Sequence, residues 1–124
     1  MSVARSILLA ISDNRWMREH GTKAPFVRRA VSVFMPGETP AEMLAAAEAQ
    51  AALGIGAVFT RLGENVTDLA EAEAVRDHYL QVIGDVQRRG LTCEPSIKLT
   101  QLGLDVDPEA AYRNALAIGR RAMD

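Results

Sequence analysis

A chain of 124 residues, 48% apolar and 24% charged, has room for one compact domain and the composition of a folded protein. Fourteen Lys and Arg against sixteen Asp and Glu leave a formal charge of −2, which excludes a general electrostatic attraction for nucleic acid. The single cysteine, Cys93, excludes an internal disulfide, and no Cys/His cluster has zinc-ligand spacing, so the chain reads as cytoplasmic and metal-free.

The opening is basic. Between Met1 and Met35 stand six basic residues (Arg5, Arg15, Arg18, Lys23, Arg28, Arg29) and two acidic ones, a net of +4 against −6 for the remainder. Val3, Ile7, Leu8 and Ile11 recur at helical spacing, Ser12-Asp13-Asn14 breaks the pattern, and a second basic helix is expected from Pro25 to about Phe34, ended by Pro36-Gly37. Such a preface (residues 1–36) suits a solvated helical face, a transit peptide, or peripheral contact with an anionic membrane. The longest apolar run near the start, residues 7–11, is shorter than the ~7–15 residues of a signal core or the ~18 of a membrane span.

The pattern then becomes regular. Thr39-Pro40-Ala41-Glu42 predicts a capping box opening an alanine-rich helix that runs to about Leu53 and stops at Gly54. Residues 55–62 read as a short buried strand, and after a Gly63-Glu64-Asn65 loop Thr67 is expected to cap a helix over 68–89. Its apolar face is Ala72, Val75, Tyr79, Val82, Ile83 and Val86. Gly90 ends it. A second strand is expected over 96–100, with Pro95 tolerated only where it starts, and a last helix begins at Asp107-Pro108-Glu109 with Tyr112, Ala115, Leu116, Gly119 and Ala122 as its core stripe.

Strand–helix–strand–helix with short loops predicts an α/β fold with a parallel sheet. Chemistry in such folds gathers at the carboxyl ends of the strands, here around residues 60–64 and 98–101. Lys98 draws the eye because an ammonium group within Ile97-Lys98-Leu99 is costly unless an anion meets it. It reads either as a holder of a substrate carboxylate or phosphate, or as an edge-strand lysine reaching for water. Glu64 follows the other strand and reads as a partner for Lys98 or for an arginine from elsewhere, or as a solvated loop acid. His78 falls on a helix flank, His20 has no evident role, and Cys93 reads as a small packing residue at the opposite end of the sheet. No nucleotide-binding glycine motif and no Ser/His/Asp arrangement is present.

Three stretches carry a more specific signal. Gly37-Glu38-Thr39, the block Leu62-Gly63-Glu64-Asn65-Val66-Thr67, and above all Ser96-Ile97-Lys98-Leu99-Thr100-Gln101-Leu102-Gly103-Leu104 resemble proline dehydrogenases, in particular the single-function bacterial type. The resemblance implies the first two strand–helix units of a flavin-containing (β/α)8 barrel over residues 37–124, behind the basic helices. It implies oxidation of L-proline to Δ1-pyrroline-5-carboxylate, hydride transfer to FAD, and electron delivery to a quinone. By position, Lys98 would hold the proline carboxylate and Glu64 would pair with a late arginine that closes the site. The family's usual Asp near the end of the first strand is replaced by Thr60-Arg61. A barrel of this kind needs ~250 residues. The chain by itself is therefore expected to bind no FAD and turn over no proline, and to be a fragment, one half of a split enzyme that needs its C-terminal half, or a non-enzymatic module that self-associates through its open strand faces.

Overall fold

The computed structural model describes Arg29 and residues 37–63 and 66–124. The expected helices of the basic preface, apart from a helical Arg29, lie outside the described residues, and so does Glu64. Contacts divide the chain into two units, Met1–Glu38 and Thr39–Asp124. The second is a mixed α/β unit of three α-helices and a two-stranded parallel sheet, in the order α1 (Pro40–Ala51), β1 (Ala57–Phe59), α2 (Leu69–Arg88), β2 (Cys93–Pro95), a 3-10 helix (Leu99–Leu102) and α3 (Pro108–Met123).

The helix ends follow from local chemistry. At α1 the Glu42 N–H donates to Thr39 Oγ1 at 3.3 Å while the Thr39 N–H donates to Glu42 Oε2 at 3.0 Å, so two donors that a helix start leaves orphaned satisfy each other's residues. Asp107 caps α3, accepting from the N–H groups of Glu109 and Ala110 at 2.9 and 3.2 Å. The cap of α2 is Asp68, not Thr67: the Asp68 carboxylate accepts from the Glu71 N–H at 2.8 Å, three residues on. Thr67 stands one residue too early and instead gives its N–H to Glu71 Oε2 at 3.2 Å. At the other end of α2, Gly90 adopts φ +63°. Its N–H donates to the Gln87 carbonyl and that of Leu91 to the Val86 carbonyl. This is a Schellman ending, which needs the left-handed region open to glycine.

Both strands are shorter than expected, and the second is displaced. In the parallel register Ala57 pairs with Cys93, Val58 with Glu94 and Phe59 with Pro95. The apolar run of residues 55–62 becomes a three-residue strand, and residues 96–100 divide between an extended segment and a 3-10 helix. The ladder stops because β1 stops: the Ser96 N–H donates to the Phe59 carbonyl at 2.8 Å, and beyond it no paired β1 residue follows. Pro95 ends the strand instead of preceding it. The Ala57 N–H reaches the Thr92 carbonyl at 3.0 Å, so the polar backbone groups of Thr92 and Ser96 face β1. Backbone groups alternate between edges, so the missing N–H of Pro95 falls on the side away from β1 and costs the ladder nothing.

The core is Leu44, Phe59, Val75, Tyr79, Val82, Ile83, Val86, Leu102 and Ile118, with the expected face of α2 buried throughout. The α3 stripe differs from expectation. Ala110, Ala111, Asn114 and Ile118 are buried, Ala115 packs half-buried on the core, and Tyr112 is 64% exposed. The inward face is centred on a polar residue that an apolar pattern does not register. Asn114 is satisfied in the interior because its Nδ2 donates to the Leu102 carbonyl at 3.1 Å and its Oδ1 accepts from Arg76 Nη1 at 3.2 Å.

The turn after the 3-10 helix is held by Gly103, at φ +97°, where an added Cβ would lie 3.1 Å from the Ala72 Cβ. Gly103→Ala is expected to lower unfolding stability by about 1–3 kcal/mol, through backbone strain and crowding against α2. The control Gly119→Ala, which meets open space on a helix, is expected to be neutral or stabilising by up to about 1 kcal/mol. Urea denaturation midpoints of the two variants check this.

Candidate functional site

The carboxyl ends of the two strands are joined by one buried side chain. Tyr79, with 0% of its surface exposed, lies on α2 with its ring 6.0 Å from that of Phe59. Its hydroxyl accepts from the Arg61 N–H at 3.0 Å and donates to the Ser96 carbonyl at 3.1 Å. Both partners lie just beyond the paired residues, so the phenol continues the sheet where the backbone ladder has run out. Gln101, 2% exposed, adds a second tie: Nε2 donates to the Arg61 carbonyl at 2.7 Å and to the Gly63 carbonyl. Nothing in the apolar periodicity marks Gln101, because a polar residue next to Leu102 reads as part of a loop.

Lys98 lies beyond β2, not within it. It caps the 3-10 helix in an extended conformation (φ −112°, ψ 126°), and its carbonyl accepts from the Gln101 N–H at 3.0 Å. Exposure alternates without a break from Leu91 to Lys98: Leu91, Cys93, Pro95 and Ile97 are half-buried, while Thr92, Glu94, Ser96 and Lys98 are exposed. Lys98 thus shares the face of Glu94 and Ser96, which the helices leave open. On β1 that face carries Val58, 70% exposed, whereas Phe59 is buried against the helices. Lys98 therefore stands at the carboxyl end of a strand in a parallel pair, where chemistry gathers in such folds.

His78 and Cys93 lie where packing explains them. The His78 imidazole is held below its ordinary pKa first by partial burial and second by the Arg61 charge. Burial alone pushes the Cys93 thiol up, which disfavours the reactive thiolate; the residue opens β2 at the end of the sheet away from Lys98.

Two of the cavities among the described residues lie beside the sheet. One of about 460 Å³ lies between β2, α2 and α3, lined by residues that include Ile83, Val86, Glu94, Pro95, Ile97 and Ile118. Its lining carries no Lys or Arg. The other, about 230 Å³, sits at the exit of β1 between Arg61, Gly63, Glu71 and Gln101. No group of three or more His, Cys, Asp or Glu among the described residues is placed to hold a metal ion, and no described helix is long and apolar enough to cross a membrane. No protein-family model and no curated protein matches this sequence.

The depressed His78 pKa fixes the sign of a pH effect. The unfolded chain takes up the proton near the ordinary value of about 6.5 and the folded chain only below it. Stability is therefore full above that value and is lost as pH falls through the folded pKa. Denaturation midpoints between pH 7.5 and 5 are expected to fall more steeply for the wild type than for His78→Gln.

Proposed function

We propose that this chain supplies the first two strand–helix units of an FAD-dependent proline dehydrogenase barrel, the remaining strands coming from further polypeptide. The observation that carries this reading is Lys98, standing on the sheet face that the helices leave open, beyond the carboxyl end of a strand in a parallel pair. It agrees with the resemblance of the Ser96-to-Leu104 string, in which that lysine meets the substrate carboxylate.

In the assembled enzyme the Lys98 ammonium binds and orients the carboxylate of L-proline through a charge-assisted hydrogen bond. Glu64 pairs with an arginine from a later element and closes the site against water. FAD, when bound, accepts the hydride; its pocket belongs to segments other than these, and the electrons pass on to a quinone. This reading keeps the protein in the cytoplasm with at most peripheral membrane contact. It also requires that the isolated chain neither hold flavin nor oxidise proline.

A second reading is favoured by the exposure of Leu53, Ile55, Val58 and Leu62. These exposed apolar residues lie before, within and after β1, and exposed apolar surface can mark an interface. On that reading the chain is a non-enzymatic module whose open sheet face joins a second copy.

The two readings separate on reconstitution. Co-expression with a C-terminal proline dehydrogenase half is expected to yield a flavin-bearing complex bleached by L-proline. Lys98→Ala in that complex is expected to weaken proline binding roughly 10- to 100-fold, the worth of one hydrogen bond to a charged group. A complex that forms and bleaches equally well with Lys98→Ala overturns the assignment of Lys98. A compact dimer of the chain that takes up no partner half favours the module.

A further inference from the structure

Gln101 is an odd residue to bury. Its amide nitrogen faces the carbonyls of Arg61 and Gly63, so the orientation of the side chain is forced: a flipped amide would set oxygen against two oxygens. The consequence is that Oε1 is buried with no hydrogen-bond partner among the described residues. A leucine of similar volume would avoid that cost, so packing alone does not account for glutamine here. What glutamine supplies and leucine cannot is a donor aimed at two carbonyls on the backbone that leads into Glu64.

The same residue is tied to Lys98. The Gln101 N–H donates to the Lys98 carbonyl at 3.0 Å, closing the first turn of the 3-10 helix. The Arg61 peptide is thereby gripped on both sides, its N–H by Tyr79 and its carbonyl by Gln101, and each of those residues also bonds the segment around Lys98, at the carbonyls of Ser96 and Lys98.

We infer that Gln101 is a positioning residue that fixes the exit of β1 relative to Lys98, so that the two site-bearing segments hold one spacing instead of moving separately. This rests on the reading of Lys98 and Glu64 as substrate-side residues. Gln101 touches no substrate in it; it acts through the two backbones.

Amide hydrogen exchange of the full chain tests the coupling without flavin or proline. In Gln101→Leu, protection at the Arg61 amide and at the residue 101 amide is expected to fall together, roughly tenfold or more, while Ile118 in α3 stays within about twofold of the wild type. The Lys98 Cα chemical shift is expected to drift toward its random-coil value. Gln101→Glu adds a readout that general loosening would not produce. The neutral acid can donate to one carbonyl, whereas the carboxylate opposes both, and burial raises its pKa above the ordinary range. Protection at Arg61 in that variant is therefore expected to be partly rescued at low pH and lost as pH rises through the raised pKa, with no such step in the wild type or in Gln101→Leu.

The inference is overturned if Gln101→Leu leaves Arg61 unchanged, if it loosens Ile118 to the same degree as Arg61, or if Gln101→Glu shows a flat profile. A reconstituted enzyme indifferent to Lys98→Ala would sink the proline dehydrogenase reading instead, and would leave these exchange results standing.

Discussion

A phenol oxygen closed off from solvent sits where both strands end, accepting from one chain segment and donating to the other. Without it the peptide N–H of Arg61 and the carbonyl of Ser96 would be left at the margin of a helix-packed interior, where an unpaired backbone group is costly. With it, a three-residue ladder behaves as a longer one. A two-stranded parallel sheet is marginal by itself. This one is held because α2 lays Val75, Tyr79, Val82, Ile83 and Val86 along its covered face and because Tyr79 reaches through to the backbone beyond the pairing. The relation between the exit of β1 and the segment carrying Lys98 follows from that one side chain, with Gln101 as its second anchor.

The helical scaffold was legible because helix formation writes itself locally. Thr39 with Glu42, Asp107 with Pro108, and Gly90 after Arg89 are contacts within a few residues of one another, and the α2 face repeats at three and four through twenty residues. The strands were legible in kind and in mutual direction but not in extent. Strand length is set by the partner: residues such as Ile97 and Leu99 have the composition of a strand yet lie past the end of β1. The expected inward stripe of α3 failed for a related reason. Asn114 is the centre of that face only because Arg76 and the Leu102 carbonyl come to it from distant points in the chain, and no local pattern announces them. Gln101 was missed in the same way. Lys98 was legible as an anomaly, a cation inside an apolar string, although the string proved to be extended backbone and a 3-10 turn.

The two faces of the sheet are unequal, and that inequality bears most directly on function. Helices cover the side of Phe59, while Val58, Glu94, Ser96 and Lys98 share the other. Val58 is 70% exposed on its strand, although parallel sheets are ordinarily covered on both faces. The exposed row combines an apolar residue, a carboxylate, a hydroxyl and an ammonium group. On the proposed barrel reading, closure by further strands turns the row inward and brings the ammonium group into a confined space, where its attraction for a carboxylate is stronger than in open water.

That difference between open and closed settings also explains why the lysine is tolerable in the unit as it stands. An ammonium group on an uncovered face keeps contact with water; enclosed, it needs an anion to meet it. The extended backbone at Lys98, fixed on one side by the Ser96 carbonyl and on the other by the first 3-10 hydrogen bond, holds the Cα in place through either state. The fold therefore separates two requirements. Buried polar side chains, Tyr79 and Gln101, set where the backbone lies, and Lys98 is carried on that backbone.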